Sequence, residues 1–229
     1  MKGTPAAFIF DLDGTLVDSG LDIALAANVV RAHFGLPPLA VPVLTGYVGD
    51  GVRVLLERTL GHDPDTGRPG LPVGADRLDE GQAVFAEWYG SHLLDNTRLY
   101  PGVRGVLAGF AAVPLHVATN KPQGFSEAIL AGFGLDGVFR RVVGGDRTPG
   151  RKPDPAHLRT CLDGLDVATD RVVVVGDSPH DITAARALGA VAVGCTYGLV
   201  DADRVRAAAP DHVVDDITGL AALFARVGG

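Results

Sequence analysis

Cysteine occurs only twice in these 229 residues, at Cys161 and Cys195, with no CxxC spacing and no cluster of cysteine and histidine. A zinc site has no ligands to draw on, and both thiols read as free and buried. Long apolar runs are missing too. The N-terminal run, Phe8 to Phe10, stops at Asp11 and follows a single lysine, so neither a signal peptide nor a membrane span is expected, and the chain reads as soluble and cytoplasmic. There is no basic stripe: the formal net charge is -7, which argues against general nucleic-acid binding and confines any phosphate site to a local feature. Lysine is scarce, with only Lys2, Lys121 and Lys152 in the chain, so a lysine at a motif position is less easily read as routine surface decoration. Repeats and low-complexity tracts are absent.

A hydrophobic fraction of 47% is enough for a substantial interior, in one large domain or in a core with a smaller companion. Short apolar runs rich in β-branched residues recur at Phe8 to Phe10, Leu115 to Ala118, Val142-Val143, Val172 to Val175, Val191 to Val193 and His212 to Val214. Continuous apolar strands of this kind are buried on both faces. Helical patterns over Gln123 to Phe133, Pro155 to Leu165 and Ile182 to Leu188 alternate with them, several followed by a glycine stop (Gly134, Gly189). The expected fold is therefore α/β, a parallel sheet flanked by helices. Residues 17–96 break the rhythm, with no convincing strand and at least two amphipathic helices. One starts near Ser19 with Leu21, Leu25 and Val29 on one face, and another runs from Asp76 through Leu78, Phe85, Trp88 and Tyr89. Gly61 to Gly74 reads as a loop. The expected organisation is a core from 1–16 and 97–229 interrupted by a helical domain at 17–96.

Ligands of open parallel sheets bind beyond the carboxyl ends of the strands, so polar residues just after apolar runs carry the most information. Asp11 and Asp13 leave the first strand two residues apart. In extended chain they face one space, an arrangement that a divalent cation or a held proton makes tolerable. The alternative is an Asp13-Gly14 turn with Asp11 as a cap. Thr119-Asn120 can hold an anion or cap the next helix. Lys152, between Arg151 and Pro153, is either a phosphoryl clamp or a solvated surface residue. Asp177, with Asp181 a helical turn later, can be a metal ligand with its supporting partner, or Asp177 or Ser178 can be a cap.

The ordered set Asp11-Leu12-Asp13-Gly14-Thr15, Thr119-Asn120, Lys152-Pro153 and Gly176-Asp177 to Asp181 resembles the four motifs of haloacid dehalogenase-like superfamily phosphatases, over essentially the whole chain. The resemblance implies a Rossmann-like core and a mobile helical cap. It makes Asp11 the nucleophile and Asp13 the general acid and base. It gives Mg²⁺ to Asp11, the Asp13 carbonyl and Asp177, with Asp181 nearby, and the phosphoryl oxygens to Thr119, the Asn120 amide and Lys152. Asp13 speaks against carbon-halogen cleavage, because the dehalogenases lack it. Gly46 to Arg58, Thr119 to Pro122, Gly144-Gly145-Asp146 and Thr196-Tyr197-Gly198 are similar to bacterial phosphoglycolate phosphatases. That implies a small phosphorylated metabolite as partner, with Gly49 and Arg53 reading its carboxylate, or else forming only a hinge and a surface position. For Asp50 and His180 the plain alternatives, a helix cap and a loop residue, stay open. The expected state is a monomer or homodimer. Alternatives are a sugar-phosphate or nucleotide phosphatase, a β-phosphoglucomutase-like phosphotransferase, a receiver domain, which is about half this length, and a silent binding module.

Overall fold

In the computed structural model, which describes residues 4–224, the apolar runs become six strands. They are Ala7–Phe10 (β1), Leu115–Ala118 (β2), Arg141–Val143 (β3), Val172–Gly176 (β4), Val191–Cys195 (β5) and His212–Val214 (β6). All pairings are parallel, in the order β6-β5-β4-β1-β2-β3. Parallel neighbours need crossover connections, and helices supply them: Gln123–Gly132, Pro155–Leu162, Pro179–Leu188 and Ala202–Ala207 each lie between consecutive strands. Every residue of β1 and β4 is buried, as an α/β sheet covered on both faces requires. Phe8 and Phe10 each contribute about 1.5–3 kcal/mol by burial, and Phe8 stacks on Phe110 with ring centroids 4.4 Å apart. Ile9, Val172 and Val174 pack with Leu158 and Ile182 in a second cluster.

The strand order reverses direction between β1 and β4. Chain leaving β1 proceeds outward through β2 and β3, then returns to lay β4 against the other edge of β1. The carboxyl ends of β1 and β4 therefore flank the switch point, where an open α/β sheet forms its crevice.

The helix after β4 begins at Pro179, earlier than the expected Ile182, because Ser178 and Asp181 form a capping box that holds its first turn. It ends at Gly189, in the left-handed region at φ 80°. The helix starting at Pro155 closes at Leu162, short of Leu165, and the one starting at Gln123 ends at Gly132.

Two compact units emerge: Met1–Asp18 with Arg98–Gly229, and Ser19–Thr97. The second unit carries the helices Gly20–His33, Val41–Thr45, Val52–Leu60 and Ala75–Ser91. It also holds a two-residue antiparallel pair, His62–Asp63 with Arg68–Pro69, inside the segment expected to be loop alone. The expected apolar face of its first helix is corrected as well. Leu21 and Leu25 are 40% and 37% exposed, while Ile23, Ala24, Ala26, Ala27 and Val30 are buried. The packed face is built largely from alanines, whose small side chains let neighbouring helices approach, so the bulkier leucines misled the periodicity. In Ala75–Ser91, Leu78, Phe85 and Tyr89 are buried as expected, and Trp88 is half-buried.

Asp22 joins the two ends of this unit. Its buried carboxylate accepts from the Asn96 amide (2.9 Å) and side chain (2.8 Å), and from the Thr97 amide (2.7 Å) and hydroxyl (2.8 Å). Burial works against its charge, but these bonds outweigh it and hold its pKa below the ordinary aspartate value. Among the described residues, no helix is long and apolar enough to cross a membrane.

His116, in the middle of β2, is fully buried and neither ring nitrogen has a hydrogen-bond partner. Burial, with Arg140 and Arg141 adding to it, depresses its pKa from 6.5 to about 4. The unfolded chain takes up this proton first, so the associated stability is complete above pH 6.5 and is lost as pH falls toward about 4. Urea unfolding across that window is expected to show a loss of roughly 3 kcal/mol from this residue. A His116→Leu variant should lose that component of the slope, and an unchanged slope would refute the assignment.

Candidate active site

Asp11 directly follows β1, and its amide donates to Val175 O at 2.9 Å, extending the β1–β4 ladder by one step. The Asp11 carboxylate is thereby held beside the end of β4, where Asp177 begins the next segment. One carboxylate oxygen from each of Asp11, Asp177 and Asp181 lies within 4.8 Å of the others. Oxygen donors alone, with few protein ligands, suit a hard cation such as Mg²⁺.

Asp177 is fixed from three sides. The Leu199 and Val200 amides donate to its Oδ2 at 2.7 and 3.2 Å. Gly14 and Gly198 close in on either flank: a Cβ at Gly14 would fall 2.0 Å from Asp177 Oδ2, and one at Gly198 2.3 Å from Asp177 Cβ. Only hydrogen fits at these two positions. Asp177 caps nothing; the cap is Ser178, whose hydroxyl donates to Asp181 Oδ2 at 2.6 Å.

Lys152 is 4% exposed, so the solvated-surface alternative does not hold. Its ammonium lies 2.8 Å from Asp11 Oδ1 and 2.7 Å from Asp181 Oδ1. The Asn120 side chain brackets the backbone that carries it, donating to Lys152 O at 3.1 Å and accepting from Lys152 N at 3.0 Å. Thr119 is buried at the end of β2, and its hydroxyl accepts from the Lys121 amide at 3.2 Å. Neither Thr119 nor Asn120 caps the following helix; Asp146 accepts from the Gln123 amide there at 2.8 Å. The Gly144-Gly145-Asp146 segment thus packs against Asn120 to Gln123, where a Cβ on Gly145 would fall 2.5 Å from Asn120 O.

Lys121 was not among the candidate site residues. Its ammonium meets both oxygens of Asp13, at 3.0 and 3.1 Å, and its side chain is 5% exposed. The scarcity of lysine was the available signal, since two of the three lysines in the chain belong to this cluster.

The electrostatics follow from this crowding. Burial, together with Asp181 and Asp13 and against the pull of Lys152, raises the Asp11 pKa to about 7. Burial and the charges of Asp11 and Asp181 raise Asp177 well above the carboxylate range, despite the two amides. Burial opposes the charge on Lys152, but Asp11 and Asp181 outweigh it and its pKa rises. Carboxylates held together in this way, with their charge incompletely balanced, form a site that a divalent cation fits.

Gly49 and Arg53 belong to the helical unit. Gly49, at φ 123°, precedes the helix Val52–Leu60. The Arg53 guanidinium pairs with Asp79 and donates to Gln82 at 2.8 Å, and Asp50 pairs with Arg58. His180 is half-buried in the first turn of the helix Pro179–Leu188.

Comparison with known proteins gives a consistent picture. Residues 8–195 match the model of the haloacid dehalogenase-like hydrolases. The chain is 39% identical over 216 residues to a phosphoglycolate phosphatase of Chromobacterium violaceum, covering 93% of this chain and 94% of that one. It is 36% identical over 220 residues to the phosphoglycolate phosphatase of Haemophilus influenzae strain Rd, covering 94% and 96%. A crystal structure of a predicted phosphoglycolate phosphatase from Haemophilus somnus superposes with a TM-score of 0.89 at 30% identity, over 97% of this chain and 99% of that one. Across this breadth of sequence and fold, the chain belongs to the haloacid dehalogenase-like hydrolase family.

Proposed function

We propose that this hydrolase is a phosphomonoesterase that cleaves 2-phosphoglycolate to glycolate and phosphate through an aspartyl-phosphate on Asp11. The observation that carries the reading is the meeting of Asp11, Asp177 and Asp181 at one sheet crevice with Lys152 bound to two of them. The phosphoglycolate phosphatases among its relatives support the choice of substrate.

In the first step a carboxylate oxygen of Asp11 attacks phosphorus while the ester P–O bond breaks, and Asp13 gives its proton to the departing glycolate oxygen. In the second step Asp13 takes a proton from water, which attacks the phosphorus of the aspartyl-phosphate, releasing phosphate and restoring the Asp11 carboxylate. Lys152, the Thr119 hydroxyl and the Asn120 amide receive the phosphoryl oxygens, whose charge spreads in the transition state. Asn120 has a second task, because its side chain fixes the backbone from which Lys152 reaches. Mg²⁺ would be held by Asp11, Asp177 and the Asp13 carbonyl, with Asp181 supporting, and would supply neutralisation of phosphoryl charge. Asp181 is already committed on both oxygens, to Lys152 and to Ser178, which favours a positioning task over direct ligation.

The helical unit acts as the cap in this reading, and the Gly49–Gly51 turn with Arg53 recognises the substrate carboxylate. Because Arg53 is paired with Asp79 and Gln82, that task requires it to share its donors or exchange partners.

Phosphate release from a panel of monoesters with Mg²⁺, using Asp11→Asn as the blank, should show a preference for 2-phosphoglycolate of about a hundredfold in kcat/KM, or about 2.7 kcal/mol. A flat profile removes the substrate assignment, and turnover by Asp11→Asn removes the covalent mechanism. Chelation should abolish activity and Mg²⁺ restore it; full activity in excess chelator would exclude the metal. Arg53→Ala is expected to raise KM for 2-phosphoglycolate about tenfold or more while sparing a monoester that lacks a carboxylate. Equal activity on phosphoglycolate would remove Arg53 from recognition.

A further inference from the structure

Resting on the proposed role of Asp13 as general acid, we infer that Lys121 is a positioning residue, holding the Asp13 carboxyl group in the orientation from which it serves the leaving oxygen. Asp13 lies in a tight turn, with Gly14 N donating to Val17 O at 2.8 Å and Leu16 N to Leu12 O at 2.9 Å. That turn fixes its backbone and leaves the side-chain torsions to be set by contacts. Lys121 supplies such a contact from another element, reaching both carboxyl oxygens at 3.0 and 3.1 Å. A buried ammonium that meets both oxygens holds the carboxyl group as a whole on one side of the turn.

Lys121 is itself well anchored. Its amide donates to Thr119 Oγ1 at 3.2 Å, and Gly145 N donates to its carbonyl at 2.9 Å. Pro122 follows immediately, with φ locked by its ring. The side chain is nearly buried, so little of its contact with Asp13 is surrendered to solvent. The arrangement separates the two lysines of the site by partner: Lys152 engages Asp11 and Asp181, and Lys121 engages Asp13. A proton delivered late or from a displaced oxygen costs most when the departing oxygen is strongly basic and least when it is a stable anion.

The test uses a series of ring-substituted phenyl phosphates, which share one shape and no carboxylate but differ in leaving-group basicity. Values of kcat/KM report the steps up to the first irreversible one, here transfer to Asp11. Lys121→Met keeps the apolar stem and removes the ammonium. It should lower kcat/KM for phenyl phosphate about tenfold more than for p-nitrophenyl phosphate, and Lys121→Arg, whose fork can meet both oxygens, should recover most of the difference. Asp13→Asn measured beside them separates the two layers of the argument. If Asp13→Asn shows the leaving-group dependence and both Lys121 variants lose equally on all esters, or lose nothing, the positioning role is overturned while the general acid stands. If Asp13→Asn shows no such dependence, the acid assignment fails and the role of Lys121 fails with it. If Lys121→Met does not fold, Lys121→Gln takes its place: a loss larger for phenyl phosphate than for p-nitrophenyl phosphate supports the role, and a loss spread evenly over the series, or no loss, overturns it.

Discussion

Everything at the crevice answers to one constraint: carboxylates are brought closer than their charges favour. Parallel pairing of β1 with β4 makes this unavoidable, because it sets Asp11 and Asp177 side by side at adjacent strand ends. The surroundings respond in kind. Two lysines are buried where burial is costly, two backbone amides turn toward Asp177, and a helix N-terminus closes over Asp181. Lys152 engages Asp11 and Asp181 and Lys121 engages Asp13, yet burial and crowding still push the Asp11 and Asp177 pKa values up.

Much of the fold was legible because its signals are local. A run such as Val172 to Val175 can only be a strand buried on both faces, and a glycine such as Gly189 marks a helix end through its own backbone. The meeting of four distant segments was legible from their order, since Asp11, Thr119 and Asp177 each directly follow a strand of a parallel sheet and Lys152 lies in the loop that leaves a fourth. What escaped the sequence has identifiable physical causes. The amides of Leu199 and Val200 hold Asp177, but a backbone amide leaves no mark in residue type. Asn120 looked like an anion ligand or a cap, and its side chain proved to be a bracket for Lys152, a pairing across 32 residues that no local pattern encodes. In the helical unit, an alanine-rich packing face lost to the stronger apolar signal of Leu21 and Leu25.

Glycine at the crevice acts through the atoms it lacks. Gly14 and Gly198 let two chain segments approach the Asp177 side chain to distances that no methyl group would permit. Rigidity at the charged centre is thus obtained from close packing of backbone, with hydrogen bonds supplying direction. Gly198 belongs in this way to the wall around a carboxylate.

Asp22 has a consequence for how the inserted unit can vary. By gathering Asn96 and Thr97 onto the first turn of the helix Gly20–His33, it brings the unit's own entry and exit together. To the core, an insertion whose ends already meet is equivalent to a closed loop, and lengthening or shortening such a loop changes the chain-closure entropy only slowly. The interior of residues 19–97 is thereby freed to drift in length and composition, or to be transplanted as a block between related hydrolases, as long as the Asp22 clasp travels with it.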